Sequence, residues 1–205
     1  MKMRRPKKSV RILFVSQYYP PEIGAPAGRV SELCREWATR HDVTVLTGFP
    51  NHPHGKLYPG YNMTGPLWEQ DGQVRLLRVP IRLAANQGIL RRGLAFLSFA
   101  RSAVRHACLT GEADMVIGTS PQLLAAWAAW RIAKRKKAHF VMEVRDLWPE
   151  SILAVGAMRR GLAYAILEWL EEFLYRRARM IVVVTDAMRS RLVERGVHAG
   201  KIVVH

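Results

Sequence analysis

The stretch Val10–Arg29 reads VRILFVSQYYPPEIGAPAGR, an apolar run that opens into a loop rich in proline and glycine. The run Val10–Val15 predicts a buried strand, because short apolar runs bounded by turn-forming residues are typical of covered sheets. From about Gly28, apolar residues at helical spacing predict an amphipathic helix over residues 29–40. In α/β sheets, ligands bind where a loop leaves the carboxyl end of a strand and enters a helix. This loop is therefore the first candidate site.

The alternation of strand and helix patterns continues along the rest of the chain. Apolar runs predict strands at 43–46, 74–79, 114–117, 138–144, 180–184 and 202–204, and helical patterns lie at 90–110, 121–137, 159–177 and 186–195. Such alternation predicts an α/β fold, with one Rossmann-like domain over 10–205 and a doubly wound, mostly parallel sheet. Residues 48–72, with four prolines and several glycines, are predicted to form a long irregular loop.

Length and charge limit the classes of protein and partner. The chain has 205 residues, 49% of them hydrophobic, and a formal charge of +16. This length suits one domain with a sizeable core, and the charge favours anionic membrane surfaces and phosphorylated ligands. Nucleic acid is not an expected partner, because the basic residues are scattered and no nucleic-acid motif occurs. A basic extension, residues 1–9, precedes an apolar run too short for a signal peptide, so a cytoplasmic chain is expected.

Three helical segments bear on contact with a membrane. The helix at 90–110 is apolar around most of its circumference, so it lies in the core or touches lipid. The basic cluster at 134–137 is either a solvated helix end or a point of contact with anionic lipid. In the helix at 159–177, the stripe expected to face the core consists of Leu162, Ile166, Trp169 and Phe173.

Three loops leave strands and enter helices, at residues 16–29, 119–121 and 145–151. Because the carboxyl ends of parallel strands share one edge of the sheet, these loops are expected to meet around one crevice. In the first loop, Gly24 permits a ligand to approach the backbone closely. Arg29 can donate a pair of hydrogen bonds to a phosphate or carboxylate.

The other two loops supply polar side chains. Ser120 is suited to cap the helix that follows it. Asp146 and Glu150 are carboxylates at the carboxyl end of a strand, and Asp146 can bind a sugar hydroxyl, act as a general base, cap the next turn or pair with the preceding arginine. No metal or other cofactor is expected, because His52 and His54 have no third ligand nearby in the sequence.

Segments spread along the chain carry a resemblance to a known family. They are Gln17–Glu22 (QYYPPE), Gly24–Arg29 (GAPAGR), Phe49–Asn51 (FPN), Tyr58–Tyr61 (YPGY), Arg145–Ser151 (RDLWPES) and Arg177–Thr185 (RARMIVVVT). Together they resemble the family 4 retaining glycosyltransferases, over nearly the whole chain from Arg11 to His205. The resemblance is strongest to the subgroup that builds bacterial surface polysaccharides, including fucosamine- and colanic-acid-type transferases.

The resemblance implies the N-terminal half of a GT-B fold, in which two Rossmann-like domains enclose a cleft. The N-terminal domain of that family holds the acceptor, and a C-terminal domain holds the nucleotide-sugar. That donor-binding domain is not expected within these residues. By position, Gly24 and Ala25 would lie near the donor phosphates, and Thr119, Ser120 and Asp146 would face the reacting sugars.

The implied site thus has Asp146 as its catalytic residue. Its substrate-binding residues are Gly24, Ala25, Arg29, Thr119, Ser120 and Glu150. The implied function is transfer of a sugar, with retention, from a nucleotide-sugar to a polysaccharide or lipid-linked acceptor in cell-envelope synthesis. Such an enzyme is expected in the cytoplasm, peripherally bound to the inner face of the membrane. The alternative is a non-catalytic subunit that binds the acceptor or the membrane and needs a separate donor-binding partner.

Overall fold

The computed structural model describes residues 9–83, 89–154, 156 and 160–205, which form one eight-stranded sheet with helices on both faces. The strands are β1 (Arg11–Val15), β2 (Asp42–Gly48), β3 (Leu67–Asp71), β4 (Val74–Val79), β5 (Met115–Thr119), β6 (His139–Val144), β7 (Met180–Val183) and β8 (Ile202–Val204). The helices are α1 (Ala25–Ala38), α2 (Ile89–His106), α3 (Leu123–Lys136), α4 (Glu150–Ala154), α5 (Leu162–Arg177) and α6 (Asp186–Glu194). The predicted basic extension lies, apart from Ser9, outside the described residues.

The order of the strands confirms the predicted doubly wound α/β sheet. That order is β3-β4-β2-β1-β5-β6-β7-β8, and each neighbouring pair is parallel except β3 with β4. The chain moves from β1 towards one side of the sheet and from β5 towards the other. The switch point therefore lies between β1 and β5, and at the carboxyl ends of these strands the loops diverge, which is where sheets of this kind bind ligands in a crevice.

The central strand β1 separates two apolar cores. Leu13 and Val15 face a core shared with α2, α3, α5 and α6, whereas Ile12 and Phe14 face a core shared with α1. Because both faces of a parallel strand are covered, such strands read as unbroken apolar runs rather than alternating ones. For this reason, the apolar run in the sequence predicted the bounds of β1 closely.

Gly118 of β5 allows α3 to pack directly on the sheet. A Cβ atom placed there would lie 2.7 Å from the Cβ of Ala129 and 2.8 Å from the Cα of Ala126. We expect Gly118→Ala to lower the free energy of unfolding by about 2 kcal/mol, because the helix must shift to admit the methyl group. Urea denaturation would measure the change.

Gly93→Ala provides the matched control for this prediction. Gly93 lies within α2, and an added Cβ there would meet nothing within 4 Å. Alanine at that position is expected to be neutral or to stabilise the fold by about 0.5–1 kcal/mol, since glycine is a poor helix former. Equal urea midpoints for the two variants would contradict the close packing of α3 on β5.

Two boundaries differ from the prediction. Residues 67–71, expected to be irregular, form β3, which pairs antiparallel with β4 across a turn at Gly72 with φ +59°. The polar edge strand gave no apolar run, so the pattern did not reveal it. Helix α1 begins at Ala25 instead of residue 29, because Pro26 fits the first turn of a helix.

The predicted inner face of α5 is wrong at three of its four residues, since only Phe173 packs against the core. Leu162, Ile166 and Trp169 are 80%, 54% and 59% exposed, while Leu170 and Leu174 are buried against the sheet. The sequence of α5 contains two overlapping apolar stripes, and periodicity alone does not say which of them faces inward. The sheet covers the second stripe and leaves the first in solvent.

Candidate active site

The loops after β5 and β6 are joined through Ser120. Its Oγ accepts a hydrogen bond from the backbone N–H of Arg145 at 3.0 Å and donates to the carbonyl of Asp146 at 3.1 Å. Arg145 Nε also donates a hydrogen bond to the Ser120 carbonyl at 3.0 Å. The Ser120 hydroxyl therefore does not cap α3, which begins at Leu123 without a side-chain cap. The predicted capping role was wrong because a partner from another loop competes for the hydroxyl.

An ion pair between a half-buried arginine and a buried glutamate lies beneath these loops. Arg29, in the second turn of α1, donates from Nε to Glu143 Oε1 of β6 at 2.9 Å. Glu143 is 4% exposed and pairs in register with Thr119 on β5. The pair thus joins α1 to β6, the strand next to β5 at the switch point. The sequence did not single out Glu143, although a carboxylate inside an otherwise apolar strand was a usable signal.

The pair is incompletely satisfied by protein groups. Arg29 Nη2 and Glu143 Oε2 are buried, and neither has a hydrogen-bond partner among the described residues. Buried polar atoms almost always have a partner, so these two atoms retain capacity for a ligand or water. Burial lowers the pKa of the neighbouring Arg145 guanidinium, and the charge of Arg29 lowers it further, although Glu143 opposes both. Two guanidinium groups, those of Arg29 and Arg145, thus lie close to the one buried carboxylate of Glu143.

The first loop delivers the start of α1 to the same edge. The carbonyl of Gly24 accepts hydrogen bonds from the N–H groups of Ala27 and Gly28, each at 3.1 Å. Gly24 and Ala25 are exposed at this end of the helix, where the helix dipole favours negative charge. The close approach of a ligand to Gly24 stays a prediction.

The two carboxylates of the third loop lie in different settings. Asp146 Oδ2 accepts a hydrogen bond from the side-chain hydroxyl of Ser151 at 3.0 Å. Glu150 lies at the start of α4 and forms an ion pair with Arg191 of α6, with Oε1 2.9 Å from Nη2. Glu150 is therefore already paired with another side chain of the protein, whereas Asp146 lies beside Ser120, whose hydroxyl bonds to its carbonyl.

Thr119 belongs to the same group of hydrogen bonds as Ser120. His52 lies apart from that group, in the loop after β2. Thr119 is buried, and its hydroxyl donates to the Ser120 carbonyl at 3.1 Å. The His52 ring packs against Tyr18 with 5.0 Å between ring centroids, and burial lowers the pKa of His52. Among the residues described, no group of three histidine, cysteine or acidic side chains is placed to hold a metal ion.

Comparison with protein families bears directly on this crevice. Residues 24–205 match the model of the glycosyl transferase 4-like domain. The chain belongs to the glycosyl transferase 4-like domain family. The match implies a transferase that works between a sugar donor and an acceptor. A search of curated proteins finds no match to the chain.

The glycosyl transferase 4-like domain also holds its two proline-rich loops in place with buried charges. Glu22 is 3% exposed and accepts hydrogen bonds from the N–H groups of Asn51 and His52, each at 2.9 Å. Burial raises the pKa of Glu22, while these backbone donors act in the opposite direction. Glu22 thus joins the loop after β1 to the loop after β2.

In the glycosyl transferase 4-like domain, the side chain of Arg78 on β4 also holds these two loops in place. It is 1% exposed and donates to the carbonyls of Gly48 at 3.2 Å and Pro20 at 2.5 Å. Its Nε lies 2.6 Å from Glu69 of β3, and its guanidinium lies over the Tyr61 ring. The sequence did not reveal that Glu22 and Arg78 hold these loops, because a buried charged residue and a solvated one look alike in a single sequence.

Proposed function

We propose that this domain is the acceptor-side half of a retaining GT-B glycosyltransferase of bacterial cell-envelope synthesis. The enzyme would move a sugar from a nucleotide-sugar to a polysaccharide or lipid-linked acceptor. The observation that carries the proposal is the polar crevice at the switch point. There the Arg29–Glu143 pair keeps unsatisfied buried atoms beside loops held in place by Ser120. A second domain would hold the nucleotide and close the cleft.

The chemistry of this crevice suits a leaving group that carries phosphate. Negative charge grows on the nucleoside diphosphate as its bond to the sugar breaks, and preorganised cations and helix dipoles stabilise such charge. Arg29 and the N-terminal end of α1, at Gly24 and Ala25, would supply both. The proposal uses no metal or other cofactor.

The sugar side of the reaction falls to the β5 and β6 loops. In the proposal, Asp146 accepts a hydrogen bond from the attacking hydroxyl, and Thr119 and Ser120 hold the loop that positions it. Glu150 would reach a sugar hydroxyl only by exchanging its ion pair with Arg191. Asp146 is thus the proposed catalytic residue, and Glu150 contributes to binding.

The location of the enzyme follows from its proposed acceptor. No helix in the described part of the chain has the length and apolar character needed to cross a bilayer. A formal charge of +16 favours peripheral contact with an anionic surface. We therefore place the enzyme in the cytoplasm, on the inner face of the membrane.

Sugar transfer by the two-domain enzyme tests the proposal. The domain, joined to its donor-binding domain, would be incubated with a panel of nucleotide-sugars and a lipid-linked acceptor extract. We expect transfer from one donor, with the anomeric configuration of the product matching that of the donor by NMR. Inverted product would remove the retaining assignment. Acceptor binding without transfer from any donor would favour a non-catalytic subunit and contradict the proposal.

A further inference from the structure

The outer face of α5 is an apolar stripe in solvent. Leu162, Ile166 and Trp169 follow one another at intervals of four and three residues, so they lie on one side of the helix. All three are more than half exposed. Large apolar side chains scattered singly on a surface need no explanation, but a contiguous row of them marks an interaction site.

A cationic pocket lies at the C-terminal end of the same helix. It has a volume of about 740 Å³ and opens at the amino-terminal edge of the sheet, opposite the candidate active site. Its basic lining residues are Lys134, His139, Arg177, Arg179, His198 and Lys201, and none of the residues that the structure describes contributes a carboxylate to it. Such a lining attracts phosphate-bearing groups.

Aromatic rings connect the apolar stripe to the cationic pocket. Trp169 stacks on Phe173 with 5.6 Å between centroids, and Phe173 meets the pocket residue Trp130 edge-on at 4.8 Å. The Arg177 guanidinium lies 5.3 Å from the centroid of Phe173. The stripe and the pocket therefore form one continuous amphipathic surface, which we call the α5 surface.

We propose that the α5 surface docks the domain on an anionic lipid bilayer. Apolar side chains with an interfacial tryptophan enter the boundary between headgroups and acyl chains, and neighbouring arginines and lysines bind the phosphates of anionic lipids. A soluble phosphorylated ligand would engage the pocket but would leave the stripe in water. The combination of both features in one surface favours the bilayer.

The acidic residues of α5 do not oppose this docking. Glu171 is buried and paired with Arg195 at 2.7 Å, on the side of the helix that faces the protein. Glu172 lies beside the stripe and is paired with Arg176 at 3.4 Å. The third acidic residue, Glu168, accepts a hydrogen bond from the Tyr164 hydroxyl at 3.3 Å and lies roughly 130° around the helix from the stripe. Of the three carboxylates, only the paired Glu172 therefore lies beside the surface that would meet the lipid.

The orientation of α5 connects this docking to catalysis. Helix α5 lies between the carboxyl end of β6 and the start of β7, so Leu162 is near the crevice edge and Arg177 is near the opposite edge. A bilayer along α5 would lie beside the crevice and bring a lipid-linked acceptor within reach. This last point rests on the proposed function, whereas docking itself does not.

Vesicle flotation of the whole chain tests the proposal. The vesicles would consist of phosphatidylcholine alone or with 30 mol% phosphatidylglycerol as the anionic lipid. We expect Trp169→Ser to weaken partition into anionic vesicles about tenfold, and Arg177→Ser/Arg179→Ser to weaken it about thirtyfold. Wild-type binding that ignores lipid charge would overturn the proposal.

Matched controls exclude a non-specific effect and a competing surface. Leu94→Ser removes a comparably exposed apolar residue from α2, and Arg40→Ser/Lys56→Ser removes two exposed positive charges far from α5. Partition within twofold of wild type is expected for both controls. Loss caused by Leu94→Ser but not by Trp169→Ser would transfer docking to α2 and overturn the proposal.

Two further measurements separate the alternatives. Calorimetry with inositol hexakisphosphate, in place of vesicles, would detect a soluble anion site. Binding of that probe without any vesicle binding would overturn the bilayer assignment. In the two-domain enzyme, Trp169→Ser is expected to transfer sugar to a soluble acceptor at the wild-type rate, so loss of docking and loss of the proposed function are distinguishable.

Discussion

Arg78→Ala is expected to lower the free energy of unfolding by about 3 kcal/mol, because it removes the shared donor of a buried network. The substitution leaves the carbonyls of Gly48 and Pro20 without their side-chain partner and Glu69 without its cation. It also opens a cavity under the Tyr61 ring. Urea denaturation of the chain would measure the loss.

Arg75→Ala is the natural control for this prediction. Arg75 lies on the same strand, β4, and pairs with Asp42 at 2.9 Å, but both side chains are about half exposed. Exposed ion pairs contribute about 0–1 kcal/mol, so this variant should remain close to wild type. If the two variants lost equal stability, the buried hydrogen bonds of Arg78 would not stabilise the loops after β1 and β2 as the structure indicates.

The sequence predicted the sheet well because its strands are covered on both faces. Runs such as Val10–Val15 and the segment that became β6 are mostly apolar, and their spacing with helical patterns predicts parallel pairing. Thr185 is of a residue type favoured at the N-cap of a helix, and its hydroxyl accepts from the N–H of Met188 at 3.2 Å. Local signals of this kind can be read without knowledge of distant contacts.

The parts that could not be predicted depend on distant contacts. Arg29 and Glu143 are 114 positions apart, so no local pattern joins them. Ser120 has the sequence setting of a helix cap, yet its hydroxyl bonds to a loop 25 residues away. The inner face of α5 was misassigned because Leu162 and Leu170 belong to two equally plausible stripes. In each case the deciding partner comes from another element.

Arg29→Ala in the two-domain enzyme is expected to slow sugar transfer about a hundredfold, which corresponds to about 2.7 kcal/mol of lost transition-state stabilisation. The proposed reason is that Arg29 faces the leaving phosphate while Glu143 fixes its position. Arg35→Ala is the control from the same helix. Arg35 pairs with Asp71 at the surface and should leave the rate within about twofold of wild type.

A structural explanation of the same loss must be separated from a catalytic one. Arg29→Ala also leaves the buried Glu143 without its cation, which by itself costs stability. The double variant Arg29→Ala/Glu143→Gln removes the isolated charge and is expected to recover most of that stability. Thermal unfolding of both variants would confirm the recovery.

The transfer rate of this double variant tests the central claim, that the crevice between β1 and β5 is the site of sugar transfer. A folded double variant should still transfer about a hundredfold more slowly than wild type, because the cation that faces the donor phosphate remains absent. A rate restored to within threefold of wild type would show that Arg29 only neutralises Glu143. That result would contradict the assignment of this crevice as the active site.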